Sequence, residues 1–417
     1  MGLPASEVEA GQSESDLRTH KFARARLLLI IVSCVAIGAV AFSYNYQLLR
    51  ASVILDHHYE KPIVLRTYER LLGYKVEVSD FNIPGARGPI AMRIYSPIGK
   101  RNPPPMVLVH GLVAAGNRHL YMNQVAEHLA KVGFLVALPT LPAESHFEMR
   151  PSDVTVITDS IRWTAQHTGQ KVTLVGNSFS GGLIVPAAAQ PAVAGEVKLI
   201  FCNSGYYNLD SIGRYFIHDP VLDPDGKPYQ GDPPGPLLIA AEYLDELVPK
   251  EDIPDLAAAI DGYHRNDGFE LPPSDPVMAR LTPREREEFH QIKTADSPEF
   301  QRLYLRVLDR HRSEIAAISP SSVLKDLKIP LYVLHSSADP VFPLGEVAWI
   351  RKSTEGNSDV HILVSPWLLH VAVGSPATPW QKFQVIDFCA KMLQQAAEVH
   401  WLDSTPAPQN QPGKTKL

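Results

Sequence analysis

Cysteine is scarce in this sequence, and the residue patterns that usually hold cofactors are missing. Only three of the 417 residues are cysteines. Cys34 lies in an apolar N-terminal stretch, and Cys202 and Cys389 lie in apolar runs, so packed thiols are favoured over a disulfide. The sequence has no dinucleotide-type glycine fingerprint, no phosphate-binding loop and no His/Cys cluster at metal-ligand spacing. We therefore predict no cofactor and no metal.

A basic excess and an internal repeat are also missing. The formal net charge is -6, which gives no indication of nucleic-acid binding. Hydrophobic residues make up 45% of the chain, enough to build one large domain and a smaller one attached to it. These properties favour a globular protein whose ligands are not nucleic acids.

The order of the apolar segments indicates the fold class. Strand-like runs alternate with helical patterns, which predicts an α/β protein with a mostly parallel sheet flanked by helices. An antiparallel hairpin is expected around residues 84–88, and residues 154–165 have the spacing of a helix that packs on the sheet. Buried strands are predicted at residues 105–112, 134–138, 172–175, 197–201, 329–335 and 360–364, and a C-terminal helix at 380–393.

One serine stands on a predicted tight turn between a strand and a helix. The strand at 172–175 runs into the sequence Gly176-Asn177-Ser178-Phe179-Ser180-Gly181-Gly182. Glycine at 176 permits a strained turn, and the small residues that follow let a helix start close to the sheet. This context favours Ser178 as a nucleophile. A register centred on Ser180 is the alternative, but it lacks the glycine before the turn.

An acid and a base follow the serine in the order that a nucleophilic serine requires. Asp339 lies just beyond the carboxyl end of the strand at 329–335, and His370 lies on a loop after the strand at 360–364. Ligands bind at the carboxyl ends of strands in open α/β sheets, so these residues are expected to meet Ser178. Asp210 is the alternative acid. His361 is a weaker alternative base because it falls inside a strand.

Two backbone amides are candidates for stabilising an oxyanion. The strand at 105–112 ends in His110-Gly111-Leu112, and a His-Gly loop of this kind supplies the first amide, here from Leu112. The second would come from Phe179, which follows the nucleophile. We expect His110 to shape the loop rather than to transfer protons.

These motifs together resemble the α/β-hydrolase superfamily over residues 75–397. The resemblance implies that Ser178 attacks a carbonyl, His370 moves the proton, Asp339 orients His370, and water releases an acyl-enzyme. It implies an esterase acting on a small or lipid-like ester. A thioesterase, an amidase or peptidase, an acyltransferase and a non-catalytic binding module are alternatives. The single glycine after His110 and the missing third glycine of the elbow argue against lipases and esterases with a glycine run at the oxyanion loop.

The long segment between two core strands is predicted to form a cap. We expect residues 70–203 and 329–400 to form the hydrolase core and residues 204–328 to form a helical cap insertion, with helix-like patches at 236–247 and 302–315. Aromatic residues of the insertion are candidates for lining a pocket or for packing: Tyr206, Tyr207, Tyr215 and Phe216. Residues 223–226 are expected to form a turn, and the tail at 404–417 is expected to be disordered.

The N-terminus predicts attachment to a membrane. Residues 27–42 carry no charge, and with their continuation to 49 they reach the roughly 20 residues that span a bilayer. Arg18, Lys21, Arg24 and Arg26 precede them, so the positive-inside rule places residues 1–26 in the cytoplasm and the hydrolase on the outer side. Cleavage after Ala39-Val40-Ala41 or lipidation of Cys34 are alternatives, and both also export the catalytic domain.

Overall fold

The computed structural model describes residues 32–33, 44–55, 63–265 and 275–398. The chain divides into two units, Met1–Arg50 and Ala51–Leu417, and the architecture below is that of the second. Within the described ranges, no helix is both long and apolar enough to cross a membrane. The predicted cytoplasmic segment 1–26 and the tail 404–417 lie outside the described residues, as does most of the predicted anchor at 27–49.

An eight-stranded sheet forms the centre of the second unit, with the order β1-β2-β4-β3-β5-β6-β7-β8. β1 pairs with β2 and β2 pairs with β4 in antiparallel fashion, and every other pairing is parallel. The predicted hairpin and mostly parallel sheet are therefore confirmed. The strands are β1 (Val76–Ile83), β2 (Ile90–Pro97), β3 (Pro105–Val109), β4 (Leu135–Pro139), β5 (Val172–Asn177), β6 (Val197–Asn203), β7 (Leu331–Ser336) and β8 (Val360–Ser365).

Helices pack around the sheet and fill the connections between strands. Those of the core are α1 (Ile63–Leu71), α2 (Leu120–Lys131), α3 (Pro151–Thr168), α4 (Phe179–Ala188), α13 (Leu344–Ser353) and α14 (Pro379–Ala397). The connection from β6 to β7 contains α5 (Leu209–Phe216), α6 (Leu237–Ala240), α7 (Leu244–Leu247), α8 (Ile253–Arg265), α9 (Pro276–Arg280), α10 (Pro283–Thr294), α11 (Pro298–Arg310) and α12 (Arg312–Ala317). Short 3₁₀ turns lie at Gly116–Arg118, Glu144–His146, Ala241–Tyr243, Pro320–Ser322 and Leu324–Asp326.

Two predicted helices of the insertion are each broken. The patch at 236–247 forms α6 and α7 with a 3₁₀ turn between them, because Tyr243 has a ψ of 17° and ends the helical path. The patch at 302–315 divides at His311, whose ψ is 12° and whose Nε2 lies 2.6 Å from Oε1 of Glu246. Hydrophobic spacing continues across both breaks, so the sequence pattern did not reveal them.

A buried carboxylate joins the insertion to the core. Glu346, in the first turn of α13, is fully buried. Its Oε2 accepts the backbone N–H groups of Tyr207 and Asn208 at 2.6 and 2.9 Å. Its Oε1 accepts the hydroxyl of Tyr229 at 2.6 Å, and it lies 3.0 Å from Ser211 Oγ, which donates to the Asn208 carbonyl at 2.8 Å. Three donors therefore bind this side chain at the point where the chain enters the insertion, and they oppose the rise in its pKa that burial causes.

Candidate active site

Ser178 occupies a strained turn between β5 and α4. Its φ of 56° and ψ of -130° lie in a region that side chains other than glycine rarely adopt, which is typical of a functional site. The turn is held because Ser178 N–H donates to the carbonyl of Asn203 at 2.9 Å. A Cβ at Gly176 would lie 2.6 Å from the Ser180 carbonyl oxygen, so only glycine permits this close approach. The predicted elbow is present, and its centre is Ser178.

The structure brings Ser178, His370 and Asp339 together. His370 Nε2 lies 2.8 Å from Ser178 Oγ, and His370 Nδ1 lies 2.7 Å from Asp339 Oδ2. An ionised carboxylate only accepts, so the proton of the imidazole belongs on Nδ1. Nε2 is then the acceptor for the Ser178 hydroxyl. This geometry fits a serine activated by a general base that a third group orients.

Asp339 is held as an anion below the protein surface. Its side chain is 1% exposed, and its Oδ1 accepts the N–H groups of Val341 and Phe342 at 2.9 and 3.0 Å. Burial by itself raises the pKa of this carboxyl, but the hydrogen bond and charge of His370 outweigh it, with help from His335 and the Phe342 N–H, and leave the pKa below its ordinary value.

The loop that carries His370 is fixed by side chains that the sequence did not single out. Ser204 Oγ donates to the His370 carbonyl at 2.6 Å. Asn203 Nδ2 and Tyr121 OH donate to the Val371 carbonyl at 2.9 and 3.0 Å. Asn203 and Ser204 lie at the carboxyl end of β6. That position at a strand end was the only feature of the sequence that could have indicated their role. These contacts fix the base relative to the nucleophile by holding its main chain.

The loop after β3 packs directly against the nucleophile. A Cβ at Gly111 would lie 3.0 Å from both the Asn177 carbonyl oxygen and Ser178 Cβ, and 3.6 Å from Ser178 Oγ. Leu112 directly follows Gly111 in the loop, and Phe179, the first residue of α4, directly follows Ser178. This placement agrees with the prediction that their N–H groups stabilise an oxyanion, and that role stays a prediction.

Replacing Gly111 with alanine tests how much this close approach matters. The added methyl group displaces the loop from Ser178, and we expect kcat for ester hydrolysis to fall about 100-fold, the scale of losing an oxyanion donor or of a misplacement of about 1 Å. Gly195→Ala is the matched control, because a Cβ there meets nothing within 4 Å. Equal activity of the two variants would contradict the assignment of the loop to the site.

The alternative site residues make contacts other than those that join Ser178, His370 and Asp339. Ser180 is fully buried and bonds the His110 carbonyl. Asp210 Oδ2 accepts from Arg214 Nε at 2.9 Å. His361 lies in β8 with its ring against Tyr332.

Two of the aromatic candidates, Cys202, Cys389 and the predicted turn are also accounted for by burial or local contacts. Tyr206 and Phe216 are fully buried, so they pack rather than line a pocket. Cys202 and Cys389 are free and buried, and burial raises the pKa of each thiol to about 12. Residues 223–226 form a turn in which Asp223 Oδ1 accepts two backbone N–H groups at 2.9 Å.

Comparison with known proteins shows similarity in structure only. No protein-family model matches this sequence, and no curated protein matches it significantly. Among solved structures, the chain is similar to a brefeldin A esterase described as a bacterial homologue of human hormone-sensitive lipase, with 18% identity, 84% of each chain covered and a TM-score of 0.45. It is also similar to an esterase of Pyrobaculum calidifontis, with 17% identity, 84% of this chain and 92% of that chain covered and a TM-score of 0.41.

An acylaminoacyl peptidase is a further structural neighbour. Its identity to this chain is 12%, the match covers 82% of this chain and 45% of that one, and the TM-score is 0.46. Structural similarity at these identities and TM-scores gives no information on the activity or substrate of this chain. The chain's own sheet order and strand-to-helix elbow therefore identify its architecture, and they confirm, at the level of the fold, its resemblance to the α/β-hydrolase superfamily.

Proposed function

We propose that this protein is a serine hydrolase that cleaves carboxylic esters through an acyl-enzyme on Ser178. The observation that carries the proposal is the continuous pair of contacts from Ser178 Oγ to His370 Nε2 and from His370 Nδ1 to Asp339 Oδ2, at 2.8 and 2.7 Å. A protein that only bound ligands would have no physical need for this arrangement. The strained backbone of Ser178 supports the proposal independently.

The acylation step uses each residue in one role. Ser178 Oγ attacks the ester carbonyl carbon while its proton passes to Nε2 of His370. The π electron pair of the carbonyl moves onto its oxygen. The resulting oxyanion accepts hydrogen bonds from the N–H groups of Leu112 and Phe179. When the tetrahedral intermediate collapses, the bond to the alcohol oxygen breaks and the alcohol takes the proton from Nε2.

Deacylation repeats the sequence with water. Water attacks the acyl carbon and gives one proton to Nε2, and collapse of the second intermediate releases the carboxylic acid and returns that proton to Ser178. Asp339 stays ionised throughout and stabilises the imidazolium that forms in each half-reaction. The reaction consumes one water for each ester and needs no cofactor.

A substrate panel tests the proposed reaction class. Purified protein is assayed against matched p-nitrophenyl esters, acyl thioesters and acyl p-nitroanilides with the same acyl groups. The proposal predicts the highest kcat/KM for an ester. Preference for a thioester or an amide would replace the ester assignment by another acyl-enzyme chemistry. Transfer of the acyl group to an added alcohol in preference to water would indicate an acyltransferase.

We further infer that the protein is a single-pass membrane protein with its N-terminus in the cytoplasm and the catalytic domain outside. The uncharged stretch at 27–42 and the four basic residues before it support this inference. Extraction of expressing cells with alkaline carbonate is expected to leave the full-length chain in the membrane pellet. A shortened chain in the soluble fraction would show cleavage and would overturn the anchor, as would incorporation of a lipid label that depends on Cys34.

A further inference from the structure

Glu144 is a buried acid directly beneath the proposed active site. It lies in the 3₁₀ turn between β4 and α3 and is fully buried. Its Oε2 is 2.5 Å from Ser180 Oγ, and its Oε1 has no hydrogen-bond partner among the described residues. Glu346 is equally buried but accepts hydrogen bonds from three donors. The two acids therefore have opposite surroundings.

The hydrogen bonds of Ser180 indicate whether the Glu144 side chain carries a proton. Ser180 Oγ bonds both Glu144 Oε2 and the carbonyl of His110. A carbonyl oxygen only accepts, so the single hydroxyl proton of Ser180 is donated to His110. The contact with Glu144 is then a hydrogen bond only if Glu144 is protonated and donates to Ser180 Oγ. The contacts form a directed chain from Glu144 through Ser180 to His110.

This chain ends on the loop that carries the predicted oxyanion donor. His110 Nε2 accepts the N–H of Leu141 at 3.0 Å, which leaves the ring proton on Nδ1, and Nδ1 donates to the Gly111 carbonyl at 2.7 Å. The Gly111 carbonyl and the Leu112 N–H belong to one planar trans peptide, so fixing the first fixes the second. Ser180 holds the preceding peptide through the His110 carbonyl. Hydrogen bonds from Ser180 and from the His110 ring therefore hold the two peptide groups that precede Leu112.

We propose that Glu144 is a positioning residue that acts as a neutral acid, donating to Ser180 so that Ser180 ties the loop of His110, Gly111 and Leu112 to the nucleophile helix. The proposal rests on the proposed hydrolase function, since it assigns Glu144 to the placement of the Leu112 amide. Ionised Glu144 cannot donate. It competes for the Ser180 proton, turns the hydroxyl away from His110 and releases the loop.

The other ionisable groups around Glu144 either raise its pKa, which favours the neutral form, or carry no charge that would lower it. Burial raises the pKa of Glu144 well above its ordinary value, the charge of Asp153 on α3 raises it further, and only the Ser180 hydrogen bond opposes them. His110 Nδ1 lies 3.9 Å from Oε2, but burial lowers the pKa of His110 to about 4, so it brings no positive charge at neutral pH. Tyr206, beyond β6, is neutral because burial raises its pKa.

Four variants test the role by kinetics with a p-nitrophenyl ester. Ser180→Ala removes the link, and we expect kcat to fall between about tenfold and 100-fold with KM changed less than about threefold, since an oxyanion donor is displaced but not deleted. Ser160→Ala is the matched control, a buried helical serine that donates to the Val156 carbonyl at 2.8 Å. Glu144→Ala is expected to resemble Ser180→Ala. Glu144→Gln, which keeps a neutral donor, is expected to restore at least about tenfold of that loss.

The pH profile separates positioning from packing. In the wild type, kcat is expected to decline at alkaline pH as Glu144 loses its proton, and in Glu144→Gln this decline is expected to disappear, since the amide does not ionise. Asp153, whose pKa burial raises to about 6, titrates below the alkaline range in which the two proteins are compared. Identical alkaline limbs, equal activity of Glu144→Gln and Glu144→Ala, or equal losses in Ser180→Ala and Ser160→Ala would each overturn the proposal.

An infrared measurement keeps this proposal separate from the proposed function. The carbonyl stretch of a protonated carboxylic acid is recorded at pH 7 for the wild type and for Glu144→Gln. A band present in the wild type and lost in the variant supports the neutral acid even if no ester is hydrolysed, in which case the function fails and the hydrogen-bond chain stands. An unchanged spectrum overturns the neutral acid even if ester hydrolysis is found.

Discussion

Replacing Ser178 with alanine is expected to lower kcat for ester hydrolysis by roughly 10⁴-fold or more, the scale on which a nucleophile contributes. The variant lacks the oxygen that forms the acyl bond, and the remaining groups can only polarise the substrate. Labelling with a fluorophosphonate probe measures the same atom directly, because the probe forms a covalent bond with an activated serine oxygen. Wild-type protein is expected to label and Ser178→Ala to remain unlabelled.

Ser180→Ala is the control for this experiment. Ser180 is fully buried with its hydroxyl bonded to the His110 carbonyl, so it cannot reach the probe. The variant is expected to label, although more slowly than the wild type because the oxyanion loop is displaced. Labelling lost in Ser180→Ala and kept in Ser178→Ala would move the nucleophile by two residues. A folded wild type that never labels would favour a non-catalytic protein.

The positions of the core strands along the chain and the elbow could be predicted because both follow from local patterns. Buried parallel strands appear as short apolar runs, and a tight turn after β5 needs glycine at 176. Asp339 and His370 could be placed because each follows a strand, and parallel strands bring their carboxyl ends to one edge of the sheet. These predictions needed no knowledge of side-chain contacts.

The supports of the site could not be predicted, because they depend on contacts between distant segments. Glu144 lies in a short turn with no motif around it, and its partner Ser180 is 36 residues away. Ser204 and Asn203 stand at a recognisable strand end, but only the folded chain shows that they hold the His370 loop. Sequence spacing identifies the reacting groups, whereas the groups that orient them are set by tertiary packing.

The departure from the usual elbow pattern has a structural explanation. That pattern has glycine two residues after the nucleophile, and this chain has Ser180. The side chain of Ser180 points away from the site, into the space between Glu144 and His110, where it makes two hydrogen bonds. A glycine would leave Glu144 buried without its partner. The serine at 180 and the acid at 144 therefore depend on each other.

Asp339→Asn is expected to lower kcat by about 10⁴-fold, because the substitution reverses the tautomer of the base. The N–H groups of Val341 and Phe342 both donate to the Oδ1 position of residue 339. The carbonyl oxygen of the asparagine amide therefore takes that position. The amide NH₂ group then faces His370 Nδ1, which must become an acceptor. Nε2 carries the proton instead and cannot take one from Ser178.

The stability of the same variant distinguishes loss of orientation from loss of folding. The pKa of Asp339 is lowered in the folded protein from its ordinary 3.8, so the stabilisation it contributes is present above that pH and is lost as the pH falls through the folded value. Urea unfolding is therefore expected to show wild type more stable than Asp339→Asn at neutral pH, with the gap closing in acid. A variant that keeps wild-type kcat would remove Asp339 from the site. A folded variant with the expected loss of kcat ties that loss to the hydrogen bond between Asp339 and His370, because the carboxylate makes no other contact with the reacting groups that the substitution would change.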